Sequence, residues 1–341
     1  MKALLIGGTG VISTSVTLRL IDLGWEVTLL NRGKRPLPAE MQGKVRTLTA
    51  DINDEAAASA LLQHETFDAV CNFIVYTSDQ AQRDIRLFAG KTKQYVFISS
   101  ASAYQKPVVH VPITEETPLE NPYWLYSRQK AQCEDVYMQA HAAQGFPITI
   151  VRPSHTYSER SLTVQIHGGH GAWVVMKRML EGKSVPMAAD GATLWTSTTS
   201  QDFAVYFCGL LGNAKAIGEA FHITSDESLS WNQIYQTIAD CLGAQFKPCY
   251  VPAEVLAASK QYDYYGSLFG DKACTVIFDN SKVKRVTGIH DHVCTPFAEG
   301  AKRSVQYFLA HPEIRQEDPA FEKFCDHVEH LMQQAKQQMN P

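Results

Sequence analysis

Lys2-Ala-Leu-Leu-Ile6-Gly7-Gly8-Thr9-Gly10-Val11-Ile12-Ser13 is the stretch whose reading decides the fold. Lys2 to Ile6 is too short an apolar run for a signal peptide and breaks at once into glycines, so it predicts a strand and a turn. Val16, Leu18, Leu20 and Ile21 then recur at helical spacing until Gly24, and Glu26 to Leu30 reads as a second strand. Strand, glycine turn, helix and strand make a βαβ unit. In such a unit a pyrophosphate sits on the helix N-terminus, where backbone N–H groups are free. Gly7 permits the tight turn and Gly10 the close approach of backbone to phosphate. Thr9, Val11 and Ile12 complete the surface expected to face a dinucleotide. Ser13 stands where many such turns carry a third glycine, and it is small enough for close helix–strand packing.

Moving outward, the second strand ends in Asn31-Arg32-Gly33-Lys34-Arg35. A carboxylate at this place would accept from the ribose 2′-hydroxyl of NAD, whereas a cation suits a 2′-phosphate. Asn31 and Arg32 therefore favour NADP within an NAD(P) reading; the bland alternative is a solvated basic loop. Val45 to Ala50 is a third strand closed by Asp51-Ile52. The acid can receive the adenine amino group while Ile52 packs on the ring, and Asp51 can equally cap the next helix. Asp68 to Val75, carrying Phe73, is a fourth strand, Gln94 to Ser100 a fifth, Pro147 to Pro153 a sixth, and Glu219 to Thr224 joins the same sheet. Strands alternating with helices predict an α/β, Rossmann-like, doubly wound parallel sheet. Gly10, Asp51, Phe73, Ser100 and Pro153 all fall at or just after strand ends, where such sheets bind ligands.

Tyr126-Ser-Arg-Gln-Lys130 is the candidate chemistry. Four residues is one helical turn, so the ammonium stands beside the phenol. A phenol titrates near pH ~10, and a neighbouring cation lowers that value. The spacing alone arises often by chance; its weight comes from the strand and two hydroxyls, Ser99 and Ser100, that precede it.

The chain has 341 residues, 45% of them hydrophobic and 19% charged, enough for one large domain or two smaller ones. We expect residues 1–155 and 202–224 to form the NAD(P)-binding domain, and 156–201 and 225–341 a smaller substrate-side lobe. The formal charge of -4, with no long basic run, argues against nucleic acid as a partner. No segment approaches a membrane span. The 8 Cys are scattered with no Cys-x-x-Cys pair, which suits free thiols in the cytoplasm. Ser102, His155, Tyr157 and Trp195 are candidate substrate contacts. His167 and His170 have no acidic or thiol partner nearby in sequence, so no metal is expected. Trp173 and Trp231 are expected in the core.

Taken together, the Gly7/Gly10 turn, Ile98-Ser-Ser100 with Tyr104 following, and Tyr126-x-x-x-Lys130 resemble the extended short-chain dehydrogenase/reductase family, also called the NAD-dependent epimerase/dehydratase family. The resemblance covers most of residues 1–230. It implies that Ser100 holds the substrate oxygen, with Ser99 its structural neighbour. It implies that Tyr126 is the acid/base, and that Lys130 binds the nicotinamide ribose and lowers the tyrosine pKa. The segment Val151 to His155, including Pro153, would meet the nicotinamide carboxamide. The implied reaction is hydride transfer at a carbinol or carbonyl carbon of a sugar-like or other small substrate, in an epimerase or a reductase, with a homodimer the assembly to look for. Members that remove water carry Asp-Glu after the Ser/Thr; Ala101 and Ser102 stand there, so elimination is not expected. Ile74 and Val75 are bulky where small residues are usual. Asp202 is expected to cap a helix through Leu211, and no cation precedes it in Trp195 to Ser200, which speaks against a nucleotide sugar. The rival reading is a cofactor-sensing or RNA-associated protein that keeps this fold without turnover.

Overall fold

The computed structural model describes residues 1–34 and 36–339; Arg35, counted above in the basic loop, lies outside them. In chain order the first half contains β1 (Lys2–Ile6), α1 (Val11–Asp22), β2 (Glu26–Asn31), β3 (Arg46–Thr49), α2 (Glu55–Leu61), β4 (Ala69–Asn72), α3 (Ser78–Phe88), β5 (Tyr95–Ile98), α4 (Leu125–Gln144) and β6 (Ile148–Pro153). With the strand Glu219–Ile223, the six strands form a seven-stranded sheet, all of its pairings parallel. From one edge the order is Glu219–Ile223, β6, β5, β4, β1, β2, β3. The order reverses beside β1, which places a crevice at the carboxyl ends of β1 and β4.

The central strands are mostly apolar because both faces are covered. One face packs under α1 and the helix Ser200–Leu210, with Leu5, Leu29, Val96 and Phe207 in its core. The other packs under the helices that follow β3 to β5, through Leu4, Phe97, Tyr137 and Ile148. A third core belongs to the lobe, where Trp173, Trp195, Trp231 and Tyr235 are buried together.

Three expectations need correction. The helix Ser281–Thr287 packs on the helix Ser200–Leu210 and on the strand Glu219–Ile223. Val283 and Val286 join the core of the sheet, so this part of 225–341 belongs with the sheet and not with the lobe. Asp202 does not cap the helix it begins: Thr199 does, its Oγ1 accepting from the Asp202 N–H at 3.1 Å. Asp54, not Asp51, caps α2, accepting from Ala57 N–H at 3.0 Å.

Candidate functional site

The glycine turn is tied by Ser13. Its Oγ accepts from Gly10 N–H at 2.8 Å and donates to the Gly7 carbonyl at 2.7 Å. The hydroxyl thus braces the turn as well as allowing close packing. Gly7 has φ of +78°, and a Cβ there would stand 2.8 Å from Ile74 Cγ2. Ile74 is therefore accommodated because residue 7 has no side chain.

Three adjoining cavities run along the strand ends. The first, about 420 Å³, is lined by Gly7, Thr9, Gly10, Asn31, Arg32, Asp51 and Ile52. The second, about 330 Å³, is lined by Gly10, Val11, Ile12, Phe73, Ser99, Tyr126, Lys130 and Pro153. The third, about 310 Å³, holds Ser100, Ser102, Tyr126, His155 and Asp271. Gly7, Gly10, Ile74 and Tyr76 are shared between the first two. Ile12, Tyr126, Pro153 and Thr156 are shared between the last two. Bulky Ile74 and Tyr76 thus border a continuous trough. A larger groove, about 730 Å³, lies elsewhere on the lobe against Asn232, Gln236, Phe246 and Tyr250 and contains none of the candidate catalytic groups.

In the first cavity, Asp51 Oδ1 accepts from the N–H and the Nδ2 of Asn53, both at 3.0 Å. These bonds hold its carboxyl below the usual range, with help from Arg32 and Lys34. At the chemical end, α4 puts Tyr126 and Lys130 on one face. Lys130 is buried, and its Nζ donates to the Val75 carbonyl at 2.6 Å and the Ile98 carbonyl at 2.8 Å. Val75, unexpected in its bulk, therefore serves through its backbone. Burial lowers Lys130 to about 8.

Tyr126 departs from expectation. Burial raises its phenol to about 12, and a hydrogen bond with Ser100 only partly opposes this. The lysine does not lower it in this structure. Its ammonium sits 5.7 Å from the tyrosine ring centroid, with hydrogens committed to two carbonyls. Ser100 Oγ lies 2.8 Å from Ser102 Oγ, which accepts from Ser127 Oγ at 2.8 Å. Ser99 turns the other way and donates to Glu134. Glu134 forms a buried ion pair with Arg152 at 2.6 Å, and Arg152 reaches the Tyr104 hydroxyl at 3.1 Å. Burial and the Lys272 ammonium push His155 down to about 3, so its ring is neutral.

Two candidates fall away from the site. Tyr157 is buried in the lobe core against Phe297, its hydroxyl pressed on Gly300. Trp195 is buried there too, stacked on Trp231 with ring centroids 5.2 Å apart. Both are large and mostly apolar, and burial decided their place. His167 hydrogen-bonds the Gly168 carbonyl while His170 reaches Gln316, so the two rings have separate partners.

The family model described as "NAD dependent epimerase/dehydratase family" matches residues 3–224. The chain belongs to that family. Among curated proteins, 2'-dehydrokanamycin reductase of Streptomyces kanamyceticus is 27% identical over 257 residues, 74% of this chain and 70% of that protein. Chloroplast stem-loop binding protein of 41 kDa b, of Arabidopsis thaliana, is 25% identical over 253 residues, 71% of this chain and 63% of that protein. Among solved structures, UDP-glucose 4-epimerase from Bifidobacterium longum, in complex with NAD+ and UDP, superposes with a TM-score of 0.73 at 19% identity. That match covers 92% of this chain and 99% of that one, and it establishes the shared fold. In this epimerase/dehydratase chain the cavity also contains residues that sequence reading did not single out. Trp124 precedes α4 and Asp271 arrives from the lobe, while Ser127, buried behind the cavity wall, ends the hydroxyl chain. Trp124 and Ser127 flank Tyr126 in sequence and could have been noticed; Asp271 carries no local signal.

Proposed function

We propose that this chain is an NADP-preferring oxidoreductase acting by hydride transfer at a carbinol or carbonyl carbon of a sugar-like substrate. The observation that carries the reading is the convergence of Ser100, Tyr126 and Lys130 where two of the cavities meet. The glycine turn supports a dinucleotide: Gly7, Thr9 and Gly10 line the cavity that Arg32 and Asp51 also wall. When bound, the nicotinamide supplies or accepts the hydride.

Ser100 and Tyr126 orient the reacting oxygen between their hydroxyls. With its phenol held near 12, Tyr126 rests protonated at neutral pH and is poised to donate to an oxygen that gains negative charge. Lys130 fixes the ends of β4 and β5 through two carbonyls, and its charge favours anionic partners in the same trough. Ala101 and Ser102 supply no carboxyl where elimination would need a pair.

A second reading comes from the relative named for stem-loop binding. It predicts RNA affinity without turnover. The intact Ser100, Tyr126 and Lys130 and the formal charge of -4 favour the enzyme. Eight unpaired cysteines suit a reducing compartment such as the cytoplasm.

The test is NADPH and NADH fluorescence on binding, then oxidation of the bound cofactor with a panel of sugar and small carbonyls. Tighter binding of NADPH and carbonyl-dependent oxidation that vanishes in Tyr126→Phe are expected. Equal turnover in Tyr126→Phe, or no binding of either cofactor, overturns the proposal.

A further inference from the structure

The wall of the third cavity comes from far along the chain. A short π-helical turn, Leu268–Lys272, carries Asp271 to a place beside Ser100, Ser102, Trp124 and Tyr126. Such turns are rare and recur at functional sites. The turn is held closely. A Cβ on Gly266 would lie 2.4 Å from Trp124 Cδ1, and one on Gly270 2.8 Å from Trp124 Cβ. Asn121 Nδ2 donates to the Ser102 carbonyl and the Gly270 carbonyl, each at 2.7 Å, pinning the turn to the cavity floor.

Among the described residues, the Asp271 carboxyl has no hydrogen-bond donor and no ion pair. Burial raises it to about 6 against the opposing pull of Lys106 and Lys272. Neither lysine lines the cavity. Lys106 Nζ is sealed from solvent, and Lys272 Nζ donates to the Val164 and Gln165 carbonyls, both at 3.1 Å. The cavity therefore offers an unmet acceptor, neutral hydroxyls and an aromatic face, and it offers no cation to a ligand. The carboxyl is only partly shielded from solvent, so a ligand that closes over it must donate in place of water or leave the acceptor unmet. A diphosphate needs cations or free N–H groups, and here it would meet a carboxylate.

We propose that this cavity takes an unphosphorylated sugar or amino sugar whose O–H or N–H groups donate to Asp271 and whose ring lies against Trp124, and that it does not take a nucleotide-diphosphate sugar. The assignment rests on the reading of the site as a hydride-transfer centre and names the substrate class that centre serves.

The test is equilibrium binding to the NADPH-loaded protein, followed by tryptophan emission. The probes are kanamycin, as an amine-bearing and phosphate-free oligosaccharide, and UDP-glucose. Kanamycin should bind, and UDP-glucose should not compete with it. Asp271→Asn should weaken kanamycin at least tenfold while NADPH affinity and melting temperature stay at wild-type values. Should that variant misfold, pH on the wild type gives the same answer. Kanamycin affinity should fall as pH drops from 7.5 to 5, because the carboxylate that accepts its hydrogens becomes protonated. The groups facing Asp271 are Lys106, Lys272, Tyr126, Cys274 and His155. Of these, Lys272 at about 8, Tyr126 at about 12 and His155 at about 3 lie outside that window. Failure of kanamycin to bind, tighter binding of UDP-glucose, undiminished affinity in Asp271→Asn, or a flat pH response overturns the assignment. If Asp271→Asn binds kanamycin normally while Tyr126→Phe still abolishes carbonyl reduction, the substrate class falls and hydride transfer stands. If NADPH does not bind, both fall.

Discussion

Lys130 is a buried cation with two carbonyl partners, and its consequences can be measured. Its pKa is lowered to about 8 from an ordinary 10.5. Between those values the unfolded chain binds more protons than the folded one, so stability rises with pH across that window. Below about 8 the folded protein bears the full penalty, roughly 3 kcal/mol for a shift of this size. Lys130→Met should therefore flatten the pH dependence of the melting temperature between pH 8 and 10.5. It should also weaken cofactor binding and slow turnover together. Tyr126→Phe should differ in kind. It removes one oxygen, so turnover should drop by about 10²–10⁴-fold with NADPH affinity nearly unchanged. Arg32→Ala should weaken NADPH far more than NADH in titrations followed by fluorescence, because its guanidinium faces the cavity where a 2′-phosphate would lie. Equal losses would remove Arg32 from cofactor selection.

At the scale of elements, the turn between β1 and α1 depends on two residues with different duties. Gly7 needs its positive φ and the space beside Ile74. Gly7→Ala should cost about 1–2 kcal/mol from backbone conformation alone, before the contact with Ile74 is counted, and it should loosen NADPH. Thermal melts with and without the cofactor would separate the two effects. The end of β6 is tied to α4 by the buried pair Glu134–Arg152. Glu134→Ala leaves a buried guanidinium unpaired and should destabilise the protein by about 3–5 kcal/mol in denaturant titrations. It also frees Ser99, so the end of β5 loses one of its ties to α4 while the Lys130 bond to the Ile98 carbonyl remains. These elements were legible in the sequence because β1, β4, β5 and β6 are covered on both faces and read as mostly apolar runs, broken in β6 by Thr149 and Arg152. The partnership of Glu134 with Arg152 was not legible. A charged residue on a helix normally faces water, and nothing in its neighbours marks this one as buried.

For the whole molecule, the trough links the glycine-turn cavity, the cavity at Tyr126 and Lys130, and a wall from the lobe. Its first two parts were readable because βαβ units place ligands at strand ends by geometry alone. The third was not, because Asn121 and Gly270 meet across 149 residues and the turn bearing Asp271 has no sequence pattern of its own. Tyr157 and Trp195 were misplaced for a related reason. Aromatic side chains in a lobe with its own core serve packing before they serve ligands. How the trough exchanges its cofactor separates two outcomes. An epimerase must return hydride to the molecule it came from and should purify with cofactor in stoichiometric amount. A reductase should purify empty and exchange freely, which dialysis followed by absorbance at the nicotinamide band would show.

The seating of the Leu268–Lys272 turn on Trp124 has an evolutionary consequence. Under the proposed function, proton transfer is encoded on one stretch of chain and the group that meets the substrate on another, joined through two bare glycine backbones, one asparagine amide and the packing of Tyr123 on Tyr265 and Phe269. The two stretches can drift at different rates. A descendant that replaces the turn while keeping Gly266, Gly270 and Asn121 inherits the catalytic apparatus intact and acquires a new clientele. Grafting this segment between paralogues is accordingly a shorter route to altered selectivity than redesigning the residues around Tyr126.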